Sequence, residues 1–179
     1  MDEYYKKMVI ELSKILDVPT SDILTYDILD TPKCIQYKMI ALKEKQRQMK
    51  VGQIWQIMLG NYKGFEDLRI GHESGLDIVS HERKIIIELK NRTNTDNSSS
   101  KKANFDKLAL YKSTHQDYTV IYGNINDNTE KKTNKCKIYT KIHNNQEIKI
   151  YIGKELLQLI LGDDTEDIIQ FIKDIIDLH

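Results

Sequence analysis

The stretch from Asp77 to Lys90, Asp-Ile-Val-Ser-His-Glu-Arg-Lys-Ile-Ile-Ile-Glu-Leu-Lys, constrains the fold of this chain more than any other. Two short apolar runs, 76–80 and 85–90, flank a polar segment at 81–84. Apolar runs on either side of four turn-forming residues predict an antiparallel hairpin. With the loop at 81–84, Asp77 faces Glu88 directly. Facing side chains start from Cβ atoms roughly 4.5–5.5 Å apart. Alternation puts Lys90 on the face of Glu88, opposite Gly75, and assigns Leu76, Ile78, Ile85, Ile87 and Leu89 to the other face. Val79 and Ile86 share the charged face nearer the turn. A slip of one residue would exchange the two faces, so the pattern specifies its own register.

That register has a chemical consequence. Two carboxylates facing each other repel unless a cation lies between them. A hard oxygen site with few protein ligands suits Mg²⁺, which keeps several waters and accepts phosphate oxygens. Lys90 beside such a site would hold a water and offset negative charge developing on phosphorus. The plainer alternative is a hairpin whose charged face meets solvent.

Around this hairpin the pattern is mixed. Tyr5, Met8, Val9, Leu12, Ile15 and Leu16 recur at helical spacing, and Pro19 closes that helix. Thr31 as N-cap and Pro32 at the first helical position start a second helix. Its stripe runs through Ile35, Met39 and Leu42 and resumes at Ile54, Trp55, Met58 and Leu59, with Gly52 as a possible break and Gly60-Asn61 as its end. Strands are predicted over 68–73, 76–79 and 84–90, then a polar loop over 91–100 whose serines can cap a helix bearing Phe105, Leu108 and Ala109. Further strands are predicted over 118–122, 136–142 and 148–152, with a polar hairpin loop over 126–135. Two helices finish the chain, separated by Gly162, the last striped by Ile168, Ile172, Ile175 and Ile176. The order implies mixed α/β around a central sheet flanked by helices. All 179 residues are expected to form one domain with its core at about 52–152.

The net charge is zero, but the charges are not spread evenly. Residues 33–50 carry Lys33, Lys38, Lys43, Lys45, Arg47 and Lys50 against Glu44, and residues 83–112 carry eight basic residues against three acidic ones. Residues 155–177 carry seven acidic residues against Lys173. A basic front and middle with an acidic tail lets one face meet phosphate. The two cysteines, Cys34 and Cys136, are too few and too far apart for a disulfide framework or a zinc site and read as reduced thiols. No apolar run reaches the roughly 20 residues that span a bilayer. The amphipathic start MDEYYKKMVIEL lacks a signal-peptide core, so a cytoplasmic protein is expected.

Gly75-Leu76-Asp77 and Glu88-Leu89-Lys90, on consecutive strands between two helices, resemble the PD-(D/E)xK nuclease superfamily and within it the type II restriction endonucleases. The resemblance covers about residues 52–122. It implies a restriction-endonuclease-like mixed sheet and a Mg²⁺-dependent endonuclease hydrolysing double-stranded DNA. By the same resemblance Asp77 and Glu88 bind the metal, the Leu89 carbonyl joins them, and Lys90 assists the water. Leu76 replaces the proline that the family often places before the aspartate. Gln53 and Gln56 stand where many members carry a further acidic residue, and Glu73 is the alternative ligand. The resemblance also implies a homodimer, since a palindromic site asks for two-fold symmetry. The helices at the two ends of the chain are candidates for that contact.

The segment NRTNTDNSSSKKANFDK, residues 91–107, resembles the stretch after the catalytic lysine in small restriction enzymes that cut sites of the GGNCC kind. It leaves the strand of Glu88 and Lys90 and opens a helix, whose N-terminus favours anions. Arg92, Asn94, Ser99, Lys101, Lys102, Asn104 and Lys107 are therefore the candidate DNA contacts. Two other readings stay open at this stage. One is a repair or junction-resolving nuclease of the same superfamily, and the other a DNA-binding module on a nuclease scaffold that no longer cuts.

Overall fold

In the computed structural model, the structure describes residues 2–18, 23–69, 71–92, 98–126 and 137–178. Helix α1 (Asp2–Asp17) packs on the long helix α2 (Pro32–Gly60). Strands β1 (Glu66–Asp67), β2 (Ile78–Ser80) and β3 (Ile85–Arg92) follow, then α3 (Ser98–Thr114) and β4 (Thr119–Asn126). The hairpin β5 (Ile138–His143) and β6 (Gln146–Ile152) leads to α4 (Lys154–Leu161), a 3₁₀ turn (Gly162–Asp164) and α5 (Thr165–Asp177). The six strands form one sheet in the order β1-β2-β3-β4-β6-β5. β3, β4 and β6 run parallel, while β1–β2, β2–β3 and β5–β6 pair antiparallel.

Helices cover both faces of this sheet. On one side α1, α2, α4 and α5 close over Ile78, Ile85, Ile87, Leu89, Ile121 and Ile125. On the other, Phe105, Leu108 and Ala109 of α3 cover Val79, Ile86, Val120, Tyr122 and Ile150. A parallel sheet buried on both faces needs near-continuous apolar strands, and 85–89 and 120–125 supply them. The charged row on β3 is therefore set into a covered face, and Val79 and Ile86 pack beneath α3.

Thr31 and Pro32 start α2 as expected, while Pro19 lies outside the described residues. Thr31 has an extended backbone and its hydroxyl accepts the Cys34 N–H at 3.3 Å, with Pro32 at the first helical position. Cys34 is an exposed free thiol, and Cys136 lies outside the described residues. At the β5–β6 turn, Asn144 and Asn145 both take left-handed conformations (φ 48° and 60°), as a two-residue hairpin turn requires. The stripe Ile168, Ile172 and Ile175 is buried in the chain's own core. Among the described residues no helix is long and apolar enough to cross a membrane.

Several expectations are corrected. The strand predicted at 68–73 is replaced by the two-residue β1 at Glu66–Asp67. There the Asp67 carboxylate accepts the Arg69 N–H at 2.9 Å and Arg69 takes φ 58°, so the chain turns out of the sheet. Gly52 does not break α2, which runs unbroken for 29 residues, because a helical Gly costs only about 1 kcal/mol. Leu76 packs with Val79 and Ile86, not with Ile78 and Ile87, because it lies before β2, where strict alternation has not begun. The strand expected at 118–122 runs to Asn126, carried by its pairing with β3. β3 continues to Arg92, and Ser98, Ser99 and Ser100 form the first turn of α3 itself.

Candidate active site

The hairpin pairs Ile78 with Ile87, Val79 with Ile86 and Ser80 with Ile85. Asp77 lies one residue before the first of these rungs, so its expected pairing with Glu88 is not part of the ladder, but it stays beside the hairpin. Backbone contacts hold it: the Asp77 N–H donates to the Ile87 carbonyl at 3.2 Å, and the Leu68 N–H donates to the Asp77 carbonyl at 2.9 Å. The Asp77 side chain closes the arrangement, with Oδ2 accepting the Leu89 N–H at 2.6 Å. On the same face of β3, Lys90 Nζ donates to Glu88 Oε1 at 2.6 Å. Asp77, Glu88 and Lys90 are thus brought together.

The electrostatics are those of a buried acidic pair that Lys90 and Lys107 only partly offset. Glu88 is only 3% exposed, and its Oε2 has no hydrogen-bond partner. Burial pushes the Glu88 carboxyl above its ordinary value, and the Asp77 charge pushes it further, against the pull of Lys90 and Lys107. Burial also raises Asp77, opposed by the Leu89 N–H and by Lys90 and Lys107. A buried carboxylate oxygen without a donor costs free energy unless a cation or proton meets it. Among the described residues no group of three His, Cys, Asp or Glu side chains could hold a metal. The residues present fit a hard divalent cation that takes two carboxylates and fills its remaining positions with water and phosphate.

Two further groups belong to this neighbourhood. Lys107 of α3 donates from Nζ to the Gly75 carbonyl at 3.1 Å and acts electrostatically on both carboxyls. Gly75 has φ 60°, and a Cβ there would lie 3.3 Å from the Lys107 side chain, so a glycine suits the bend before Asp77. Asp67 stands opposite Ile78, accepts Gln56 Nε2 at 2.9 Å, and raises the Asp77 carboxyl. Gln53 and Gln56 line an open cleft of about 550 Å³ between α1 and α2, together with Asp67 and Arg69. Asp67 on β1, whose charge acts on Asp77, was hidden from the sequence reading by the strand boundary expected at 68–73.

The remaining candidates scatter more widely. Ser99, Lys101 and Lys102 are exposed on α3, with Lys101 Nζ 6.0 Å from the Tyr122 ring centre. Because α3 starts at Ser98, the two lysines follow its first three residues. Asn104 is buried on the same helix, and Glu73 is exposed in the turn before Gly75. Asn94 lies outside the described residues, as does the side chain of Arg92, whose backbone pairs with Asn126. Sequence reasoning missed Asn124, which is buried on β4 in register with Lys90. The available signal was a polar residue continuing the alternate row Val120, Tyr122 of an otherwise apolar strand.

A mixed six-stranded sheet clad by helices, with a parallel β3–α3–β4 crossover leaving the hairpin, is a restriction-endonuclease-like fold. The model of the Eco47II restriction endonuclease family matches residues 4–176, nearly the whole chain, and the chain belongs to that family. It is a type II site-specific deoxyribonuclease, and its substrate is DNA. Restriction endonucleases of this kind generally use divalent metal ions. No curated protein matches the chain.

Proposed function

We propose that this endonuclease is Mg²⁺-dependent, cuts double-stranded DNA at one specific sequence, and works from the centre formed by Asp77, Glu88 and Lys90. The supporting observation is the buried acidic pair in which Glu88 Oε2 has no donor while Lys90 touches the other oxygen. Asp77 and Glu88 would hold the cation. The Leu89 carbonyl would join them, because alternation turns it to the strand edge on which the Ile87 carbonyl meets Asp77. Glu73 is the reserve ligand, since it precedes the Gly75 bend. When bound, a divalent cation supplies positive charge at the scissile phosphate and makes a nearby water easier to deprotonate. Lys90 orients that water for in-line attack and offsets charge at phosphorus. Tying Asp77 to the Leu89 N–H fixes one carboxylate before substrate arrives, which reduces the ordering left to be done on binding.

DNA would meet the α3 side of the sheet, at the carboxyl ends of β3 and β4, where open parallel sheets place ligands. Ser99, Lys101, Lys102 and Lys107 would contact it there together with Arg92 and Asn94, with Asn104 behind them against the sheet. The segment after Lys90 points to a site of the GGNCC kind. Two-fold symmetry of such a site supports a homodimer. The Ile168–Ile175 stripe is spent in the core, so a contact made by the terminal helices would use their exposed residues.

The test is digestion of bacteriophage DNA with Mg²⁺ and with EDTA, read on a gel. Discrete bands requiring Mg²⁺ are expected, whereas nicking only at junctions or lesions would favour a repair nuclease. Glu88→Ala and Lys90→Ala should each slow cleavage by about 10³-fold, the worth of several kcal/mol of lost charge stabilisation. Both should still bind DNA in Ca²⁺. Normal cutting by both variants would move the reaction centre elsewhere.

A further inference from the structure

Asn124 lies near the end of β4, in register with Lys90 on the neighbouring parallel strand. Val120 and Tyr122 face the α3 side of the sheet, and alternation continues that row through Asn124. Asn124 is 5% exposed, and its Oδ1 has no hydrogen-bond partner. Asn126, two residues on, provides a contrast. Its amide donates to both the backbone and the side-chain oxygen of Asn91, at 2.9 and 2.6 Å, which is what an asparagine holding strands together does. Asn124 Oδ1 is not held in this way. A buried acceptor left without a donor calls for a reason.

Glu88 Oε2 is the other unpartnered buried side-chain atom among the described residues, and Glu88 is in register with Tyr122, two residues before Asn124. Two acceptors without donors therefore sit on one face of adjacent strands. The ammonium in register with Asn124 is that of Lys90, which donates to Glu88 Oε1. A cation held by Glu88 would compete with Lys90 for that carboxylate. Asn124 is the register neighbour with lone pairs unused.

We propose that Asn124 is a positioning residue: its side-chain oxygen receives the Lys90 ammonium once the Glu88 carboxylate turns to a cation. The inference rests on the reading of Asp77, Glu88 and Lys90 as the reaction centre. A neutral amide suits this task. It accepts from the ammonium without adding negative charge beside a phosphate, and it does not take the proton. Without it Lys90 falls back on Glu88, competes with the cation and loses its aim at the water.

The experiment compares Asn124→Leu and Asn124→Asp with the unaltered full chain. Removing an acceptor that nothing satisfies should leave the melting temperature of metal-free Asn124→Leu unchanged or raise it. Single-turnover cleavage in Mg²⁺ should fall by about 100-fold, the scale of a misplaced reacting group, while DNA affinity in Ca²⁺ stays within about 3-fold of the unaltered chain, because positioning is not uniform binding. Asn124→Asp, which keeps an acceptor in place but adds negative charge, should recover part of the lost rate. The inference is overturned if Asn124→Leu cuts at full rate, if it melts lower and loses rate and DNA binding together, or if the aspartate variant recovers nothing. Glu88→Ala run alongside separates the two readings. Full cutting by that variant removes the centre itself, whereas its inactivity with full cutting by Asn124→Leu removes only the role of Asn124.

Discussion

At the scale of single residues, the centre buries two carboxyls close to one another. Glu88 and Asp77 are both held above the ordinary carboxyl range, chiefly by burial. A carboxyl whose folded pKa is raised keeps its proton at pH values where the unfolded chain has released it. Its contribution to stability is present below the ordinary value, about 4.3 for Glu, and is lost as pH climbs to the raised folded value. Glu88→Gln cannot ionise and escapes that loss. In EDTA the variant should gain on the unaltered chain as pH rises from about 4 to 8, melting higher by roughly 2–4 °C for each kcal/mol relieved in a domain of this size. Mg²⁺ should reverse the order, because only the carboxylate gains from the cation. Parallel melting curves across that range, followed by scanning fluorimetry, would show that Glu88 meets no such penalty. The residues carrying this behaviour were legible because a β-hairpin has a period of two. Once the turn was placed at 81–84, Asp77, Glu88 and Lys90 had to share a face. Asn124 and Asp67 were not legible, because their nearness depends on a parallel crossover and on where β1 ends.

At the scale of elements, the site depends on close packing by neighbours that carry no chemistry. The end of α2 passes so near β1 that a Cβ at Gly60 would lie 2.7–2.9 Å from the Cβ, Cα and backbone N of Asp67. Backbone cannot swing aside as a flexible side chain can. Gly60→Ala should therefore cost about 1–3 kcal/mol, the usual range for overpacking, measured as a lower midpoint in urea at unchanged slope. Since Leu68 donates to the Asp77 carbonyl, pushing β1 off α2 should also slow cleavage. An unchanged midpoint would mean that β1 is loosely held. Helices and strands were mostly readable from period and punctuation, as Thr31-Pro32 and the β5–β6 turn illustrate. The errors came where tertiary contacts decide: Gly52 sits in a helix that simply continues, and 119–126 lengthens because β3 lies beside it.

At the scale of the molecule, a chain of zero net charge meets a polyanion by keeping its acidic C-terminal helices across the sheet from α3. α4, α5 and the turn between them lie on one side of the sheet, with Asp163, Glu166, Asp167, Asp174 and Asp177. α3 lies on the other side with Lys101, Lys102, Lys107 and Lys112. The sheet keeps the acidic helices behind the centre, so DNA approaching from the α3 side meets the basic face first. Each lysine that neutralises a phosphate contributes about 0.9 to the slope of log K against log salt on duplex DNA. Lys101→Ala with Lys102→Ala should flatten that slope by about 1–2 per chain and weaken binding alike for cognate and random duplexes, since phosphate contacts carry no sequence information. Asp163→Asn with Asp167→Asn alters the charge by the same amount on the opposite side and should leave the slope where it was. Both titrations are done by fluorescence anisotropy in Ca²⁺ between about 50 and 200 mM salt. If the two pairs shift the slope by equal amounts in opposite directions, the effect belongs to net charge alone, and the placement of DNA against α3 fails.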